Sequence, residues 1–244
     1  MIKKSFFMSM FLALNAMACF AQGDDFGIWT SVGLEKKLFP DFNISVGGEF
    51  RTQDNTQKVE RWSGNLGVSY NVFKHLEAAA EYVYMYNNIK GRTTSKGNYV
   101  SSYWTPRHRF NLSLEGDVDA GNFNFSLRER YQYTYRPEKS VSKYDADGSQ
   151  KADEIVTGKG TNLLRTRPQI KYNIPHSKFK PYASVEFYHS LKDFAIDKTR
   201  IKAGTSYKLN KRNVFDFYYL FQNKADDDEP RGHFLGLGYT YKFK

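Results

Sequence analysis

The segment FNFSLRERYQYTYR, residues 123–136, decides the fold of this chain. Aromatic residues or leucine stand at positions 123, 125, 127, 131, 133 and 135, and polar residues, arginines among them, fill the even positions. Alternation with a period of two predicts a β-strand with one apolar and one polar face. Glu129 breaks the pattern, because it places a carboxylate on the apolar face, where it needs a partner.

The same alternation recurs along nearly the whole chain and predicts eleven strands of about nine to fourteen residues. This is close to the ~9–11 residues with which a tilted strand crosses a bilayer. Short connections are expected at 71–75, 116–121, 174–180 and 210–213, and longer polar ones at 87–102, 137–160 and 224–231. Short turns on one side and long loops on the other are typical of outer-membrane barrels.

The predicted fold is all-β: a single antiparallel transmembrane β-barrel of about 10–12 strands with short periplasmic turns and longer extracellular loops. A soluble barrel or sandwich with its apolar faces turned inward is the alternative, since it uses the same alternation. Two features favour the membrane barrel: tyrosines are concentrated at strand ends, and the chain has more strands than a lipocalin. So does the C-terminal GLGYTYKFK (236–244), which resembles an outer-membrane assembly signal. Closed bacterial barrels have even strand numbers, so eleven implies a missed strand or an irregular segment at 26–34.

Residues 1–21 have the features of a secretory signal peptide: a positive start, an apolar run and a small-x-small cleavage site. Cleavage is therefore expected after Ala21. The alternative, a lipidated Cys19, lacks a leucine three places upstream. The mature chain, 22–244, is predicted to be one barrel located in the outer membrane, with no cysteine and so no disulfide.

The formal net charge of +10 suits contact with anionic lipid or with lipopolysaccharide phosphate. Export argues against nucleic acid, and no zinc-finger, phosphate-loop or dinucleotide motif occurs in the sequence. The expected partners are outer-membrane lipid, lipopolysaccharide and the assembly machinery of the outer membrane, which would bind the C-terminal strand. No cofactor is predicted.

Two acidic segments are candidate metal sites. KYDADGSQKADE (143–154) partly matches a calcium loop, but Lys143 stands where the first carboxylate ligand belongs. Asp147-Gly148 is more simply a hairpin turn. The run DDDE (226–229) is interpreted as a solvated acidic loop, so no metal site is predicted.

Three segments carry a resemblance to a known family: FGIWTSVGLEKKL (26–38), SYWTPRHRFNLSLEG (102–116) and SLRERYQYTYRPEK (126–139). They resemble the Bacteroidetes family of outer-membrane β-barrel proteins described as a domain of unknown function. The resemblance covers nearly the whole mature chain. It implies an outer-membrane location without an established activity, so it assigns no catalytic residue.

Arginines are concentrated on the polar faces of three consecutive strands, opposite the aromatic residues. A narrow barrel would pack them inside against acids, as an internal ion-pair network. Alternatively they form an anion-binding or anion-conducting lumen, since the planar guanidinium favours carboxylate and phosphate. The predicted lumen residues are Arg107, Arg109, Arg128, Arg130, Arg165 and Arg167, with Glu49, Glu77 and Glu81 among the acids.

A turn at 116–121 would pair residue 115 with residue 122. That register sets His108 directly opposite Glu129 on the apolar face, and Arg109 and Arg107 opposite Arg128 and Arg130. A His–Glu hydrogen bond orients an imidazole as a general base requires. No serine stands two residues after His108, so no nucleophile is identified and no catalytic residue is assigned. A structural hydrogen-bonded pair, or a bulge that turns Glu129 inward, is the other interpretation.

Three functional hypotheses follow from the sequence. The first is a non-enzymatic envelope barrel, either a narrow polar-lined conduit for small solutes or a structural component. The second is a lipid-active enzyme that uses His108 and Glu129. The third is a module that binds a partner through its surface loops.

Overall fold

A computed structural model describes residues 24–225 and 229–243, so the predicted signal peptide, 1–21, lies outside the described residues. The described chain contains fifteen strands, eleven of which form a closed barrel. The barrel strands are β1 (Asp25–Phe39), β2 (Phe42–Gln53), β3 (Lys58–Phe73), β4 (Leu76–Ile89), β7 (Tyr103–Ala120), β8 (Phe123–Arg136), β11 (Lys159–Tyr172), β12 (Phe179–Ser190), β13 (Ile196–Lys208), β14 (Asn213–Gln222) and β15 (Gly232–Phe243). The short strands are β5 (Arg92–Thr93), β6 (Tyr99–Val100), β9 (Lys139–Tyr144) and β10 (Gln150–Val156). No helix in the described ranges is long and apolar enough to cross a membrane.

The barrel closes through β1 and β15, which pair in parallel from Asp25 opposite Gly232 to Lys36 opposite Phe243. Every other neighbouring pair in the described barrel is antiparallel. With strands running alternately up and down, an odd number leaves the first and last pointing the same way, so they meet in parallel. The predicted all-β barrel and the count of eleven are confirmed. The inference of a missed strand or an irregular segment at 26–34 is wrong.

The apolar faces of the barrel strands point outward. On β7, Phe110, Leu112 and Leu114 are each more than half exposed, whereas Arg61 and Arg107 inside the barrel are 1% and 2% exposed. Such an arrangement is the inverse of a soluble protein, in which large apolar side chains are buried and arginine is mostly exposed. The alternative with apolar faces turned inward is therefore wrong.

The two rims of the barrel differ. The short-turn rim carries the connections at 40–41, 74–75, 121–122, 173–178 and 209–212, and the long-loop rim carries those at 54–57, 90–102, 137–158, 191–195 and 223–231. At the long-loop rim, β5, β6, β9 and β10 form a second sheet in the order β10-β9-β6-β5. The sequence interpretation missed this sheet, because its strands are short and lack a sustained alternation. The hairpin predicted at Asp147-Gly148 is found, with Gly148 at φ 86°.

The turn between β7 and β8 is shorter than predicted. β7 continues to Ala120, which faces Phe123, so Gly121 and Asn122 alone form the turn. Gly121 has a φ of 62°, a conformation that two-residue hairpin turns require and that glycine adopts without strain. The predicted turn at 116–121 is therefore wrong, and every pair between these strands shifts.

The corrected register separates the residues that were expected to face each other. His108 lies opposite Tyr135, and Glu129 lies opposite Leu114. Arg109 pairs with Thr134, Arg128 with Glu115 and Arg130 with Ser113. The predicted like-charge arginine pairs between β7 and β8 do not form.

Candidate functional site

The polar lumen is built from the inward-facing residues of each strand, and its middle contains a shared carboxylate. Glu186 of β12 accepts hydrogen bonds from Arg165 Nη2 at 2.8 Å and from Arg128 Nη2 at 2.7 Å. Arg165 also donates through Nη1 to Gln132 Oε1 at 2.8 Å. Across β8 and β11, Arg165 faces Arg130 and Arg167 faces Arg128, so like charges are neighbours there. Glu186 contacts one arginine of each facing pair and so offsets part of this like-charge repulsion.

The other predicted lumen residues of this region have partners of their own. Arg167 donates to Glu115 Oε2 at 2.9 Å. Arg130 donates through Nε to Ser113 Oγ at 2.8 Å, and its Nη1 lies 3.5 Å from Glu81. Glu81 accepts further hydrogen bonds from the side chains of Asn65 and Asn111. Glu77 accepts one from Ser69 Oγ at 3.2 Å.

Three predicted lumen residues lie toward the long-loop rim. Arg107 donates to Thr105 Oγ1 at 3.3 Å and to the Pro106 carbonyl at 3.2 Å. Arg109 donates through Nε to Thr134 Oγ1 at 3.1 Å. Glu49 accepts two hydrogen bonds from Arg51, at 2.7 and 3.0 Å.

A second ion cluster lies nearer the long-loop rim, and the sequence interpretation did not find it. Its centre is Glu229, from the connection between β14 and β15. Glu229 Oε1 accepts from Arg61 Nη2 at 2.7 Å and Arg51 Nη1 at 3.0 Å. Glu229 Oε2 accepts from Lys198 Nζ at 2.8 Å and from Arg200 Nη2. We call these five described residues the outer cluster: Arg51, Arg61, Lys198, Arg200 and Glu229.

A β-bulge in β3 places Glu60 next to Arg61 of the outer cluster. The register between β2 and β3 shifts after Arg51, which pairs with Arg61, while Thr52 pairs with Val59. Glu60 is the extra residue of this bulge, and a bulge re-aims side chains. Glu60 and Arg61 are therefore both buried, with Arg61 Nε donating to Glu60 Oε1 at 3.0 Å.

Aromatic rings line the outer cluster. The Arg51 guanidinium lies 3.5 Å from the Trp29 ring centre, and Lys198 and Arg200 lie 4.5 and 5.0 Å from that of Tyr188. Cation–π attraction is strongest where both groups are shielded from water, as they are here.

Glu229 is held in its charged form. Its burial raises the pKa of the carboxyl, but the four cations of the outer cluster, Arg200 foremost, outweigh burial and hold this pKa well below its ordinary value. The interpretation of 226–229 as a solvated acidic loop is thus wrong for Glu229, which is 5% exposed. Residues 226–228 lie outside the described part of the chain.

Three cavities follow one another through the lumen. The outer cavity, about 300 Å³, is lined by residues of the long-loop rim and by Lys198, Arg200 and Glu229. The middle cavity has a volume of about 390 Å³. The inner cavity, about 400 Å³, opens toward the short-turn rim. The described lining of the middle cavity includes six arginines, Arg51, Arg61, Arg109, Arg130, Arg165 and Arg200, and three acids, Glu35, Glu49 and Glu81.

His108 and Glu129 do not meet. His108 Nδ1 is hydrogen-bonded to the Tyr82 hydroxyl at 2.8 Å, and Glu129 Oε2 accepts from Thr166 Oγ1 at 3.0 Å. The predicted pair of His108 and Glu129 is wrong, so Glu129 does not orient this imidazole as the hypothesis of a lipid-active enzyme requires. Thr166 lies opposite Glu129 on β11, so a neighbouring hydroxyl satisfies the carboxylate on the apolar face.

In the 143–154 segment, Asp145 forms an ion pair with Lys151 at 2.7 Å. Glu154 lies 3.3 Å from Lys143, the cation that replaces the first calcium ligand. These acids are thus engaged with lysines of the second sheet.

Comparisons with known proteins agree with the barrel fold. The family model described as "Protein of unknown function (DUF2490)" matches residues 26–233. No curated protein matches the chain. The β domain of the Bordetella autotransporter BrkA is 15% identical with a TM-score of 0.52, over 83% of this chain and 82% of that one, which shows a shared fold.

Two further solved structures are similar to this chain. The NanC porin is 13% identical with a TM-score of 0.45, over 88% of this chain and 99% of that one. The P. putida toluene transporter TodX is 11% identical with a TM-score of 0.42, over 85% and 70%.

Proposed function

We propose that this chain, which belongs to the DUF2490 family of proteins of unknown function, is an outer-membrane barrel whose lumen admits small anionic solutes. The exposed apolar wall supports the membrane location, because large apolar surface in contact with water is unfavourable and in contact with acyl chains is not. In this placement lipid and lipopolysaccharide surround the apolar wall of the barrel, the short-turn rim faces the periplasm and the C-terminal strand is the contact for the assembly machinery. The Bacteroidetes source, the cleavage after Ala21 and the lack of a nucleic-acid partner stay predictions.

The observation that carries the proposal is the lining of the middle cavity, where six arginines and three acids face the space. Glu60, Glu186 and Glu229, which also pair with these arginines, are not among its described lining residues. Low-dielectric walls focus the field of the charges that line a cleft, so the excess of arginines at this surface favours anions and repels cations. Guanidinium groups also bind carboxylate and phosphate through planar, bidentate hydrogen bonds. Solutes must be small, because the cavities hold only a few hundred Å³.

Flux into liposomes tests the proposal. Purified protein should admit small anions faster than cations of the same size, and the double variant Arg130→Ala/Arg167→Ala should lower that preference. Arg92→Ala is the matched control, since Arg92 forms an ion pair with Glu154 in the second sheet, away from the lumen. A folded barrel that passes neither ion would contradict a conduit and leave a structural role.

A further inference from the structure

We propose that the four cations of the outer cluster form a carboxylate-binding site, and that Glu229 is its built-in occupant, which the carboxylate of an entering solute displaces. This inference rests on the proposed anion-admitting lumen and names the solute class. Of these residues the sequence interpretation singled out Glu229 alone, as part of an acidic loop at 226–229.

The site already has the geometry of a carboxylate receptor. Each oxygen of Glu229 contacts two cations: Arg51 and Arg61 on one side, Lys198 and Arg200 on the other. A planar carboxylate presents two oxygens with about four lone-pair sites, which matches four donors. A tetrahedral phosphate has a third charged oxygen, for which this two-sided arrangement has no separate position.

Receptor and occupant come from different kinds of structure. The four cations project from the paired strands β2, β3 and β13, which form part of the barrel wall. Glu229 comes from the connection between β14 and β15, in which no strand is assigned among the described residues. The carbonyl of its neighbour Pro230 accepts a hydrogen bond from Gln222 Nε2 at 2.9 Å. The cations thus belong to the barrel wall, and the carboxylate that they hold belongs to a connection between strands.

The positive charge of the outer cluster requires an anion at the position of the Glu229 carboxylate. Glu49 and Glu60 accept hydrogen bonds from Arg51 and Arg61 and so offset two of the four cations. Without Glu229, two positive charges would be left over in a buried site, and uncompensated buried charge is strongly unfavourable. Glu229 can leave only if another anion takes its place.

The outer cluster also lies where an entering solute meets it. Glu229 and Lys198 line the outer cavity, Arg51 and Arg61 line the middle cavity, and Arg200 lines both. Glu229 thus stands at the boundary between the two spaces. A carboxylate that enters the outer cavity reaches Lys198 and Arg200 first, and exchange with Glu229 would join the two cavities.

Acetate binding to the full-length mature protein in detergent tests the site, with inorganic phosphate as the comparison anion. Glu229→Gln keeps the shape of the side chain but removes its charge, and should bind acetate at least about tenfold more tightly than the wild type in calorimetry, because the resident competitor is gone. Phosphate affinity should rise less. Asp197→Asn is the matched control: it removes the other acid in the described lining of the outer cavity and should leave acetate affinity unchanged.

Glu229→Asp keeps the charge on a shorter side chain and serves if Glu229→Gln does not fold. It should strengthen acetate binding by a smaller factor. Equal acetate affinity in the wild type and in the folded Glu229 variant would overturn the inference, as would an equal gain in Asp197→Asn.

Conductance separates this inference from the proposed function. If Glu229→Gln binds acetate tightly but neither protein conducts, the binding site stands and the conduit fails. If the wild type conducts anions and Glu229→Gln changes neither acetate affinity nor conductance, the conduit stands and the exchangeable carboxylate fails.

Discussion

The outer and inner halves of the lumen are built from the same alternating strands but carry opposite charge. The outer cavity has five cations and two acids in its described lining, whereas the inner cavity has Arg130 and Lys242 against Glu35, Glu77 and Glu81. Their ion pairs also differ in hydration. The side chains of Arg61 and Glu229 are 1% and 4% exposed, and those of Lys242 and Glu35 are 46% and 41% exposed. The alternation of the sequence determines which side chains point into the lumen. Their burial then determines how strongly their charges interact.

Removing one residue of an ion pair from each half of the lumen should give the largest difference in the free energy of unfolding. Arg61→Ala leaves Glu60 and Glu229 buried with one cation fewer, and should lower the free energy of unfolding by about 3–5 kcal/mol. Lys242→Ala opens a solvated pair and should cost about 1 kcal/mol or less. Denaturant unfolding in lipid vesicles measures both. Equal losses would show that the two halves do not differ in hydration.

Alanine substitutions at two inward-facing glycines should give a smaller difference in stability. A Cβ at Gly236 would lie 1.9 Å from the Tyr218 ring, so Gly236→Ala should destabilise the barrel by about 1–3 kcal/mol through overpacking. At Gly33, toward the short-turn rim, the nearest atom would be Thr240 Oγ1 at 3.5 Å, an ordinary contact. Gly33→Ala should therefore be neutral or slightly stabilising in the same unfolding experiment. Similar losses in both variants would contradict the tight packing around Tyr218.

Lowering the pH from 7 to 5 should produce the smallest effect, because Glu229 should stay charged over this range. The pKa of Glu229 is lowered in the folded protein, so its stabilising contribution is present above its unfolded pKa and is lost only as pH falls through the lower folded value. Between pH 7 and pH 5 the ratio of conductance in Glu229→Gln to that in the wild type should stay constant. A ratio that approaches one by pH 5 would mean that Glu229 takes up a proton in that range.

The sequence predicted the faces of the strands better than their partners. Alternation placed Arg128, Arg130 and Glu81 inside and Leu112 outside, because side-chain direction is a local property of a strand. Register is set by the turn, and the turn between β7 and β8 was misplaced. The signal was present, since Asp117, Val118, Asp119 and Ala120 continue the alternation up to Gly121.

The outer cluster could be predicted only in part. Arg51 and Arg200 continue the polar alternation of their strands, so their inward direction could have been inferred. Glu60 is buried by a bulge, and Glu229 by its contacts with cations of β2, β3 and β13, and neither has a periodic signal in the sequence. The parallel closure was also hidden, because residues 25–36 and 232–243 meet only when the whole sheet curls.

The two halves of the lumen exist only if β1 closes the barrel against β15, and a cross-link tests that closure directly. Thr30 and Leu237 are register partners on the outer face, and the mature chain as predicted has no cysteine of its own. Thr30→Cys/Leu237→Cys should therefore form an intramolecular disulfide or accept a short thiol cross-linker in the folded protein, shifting its mobility on a denaturing gel. Thr30→Cys/Phe50→Cys, across the antiparallel β1–β2 pair, is the positive control. Efficient cross-linking of the control alone would contradict the eleven-stranded barrel.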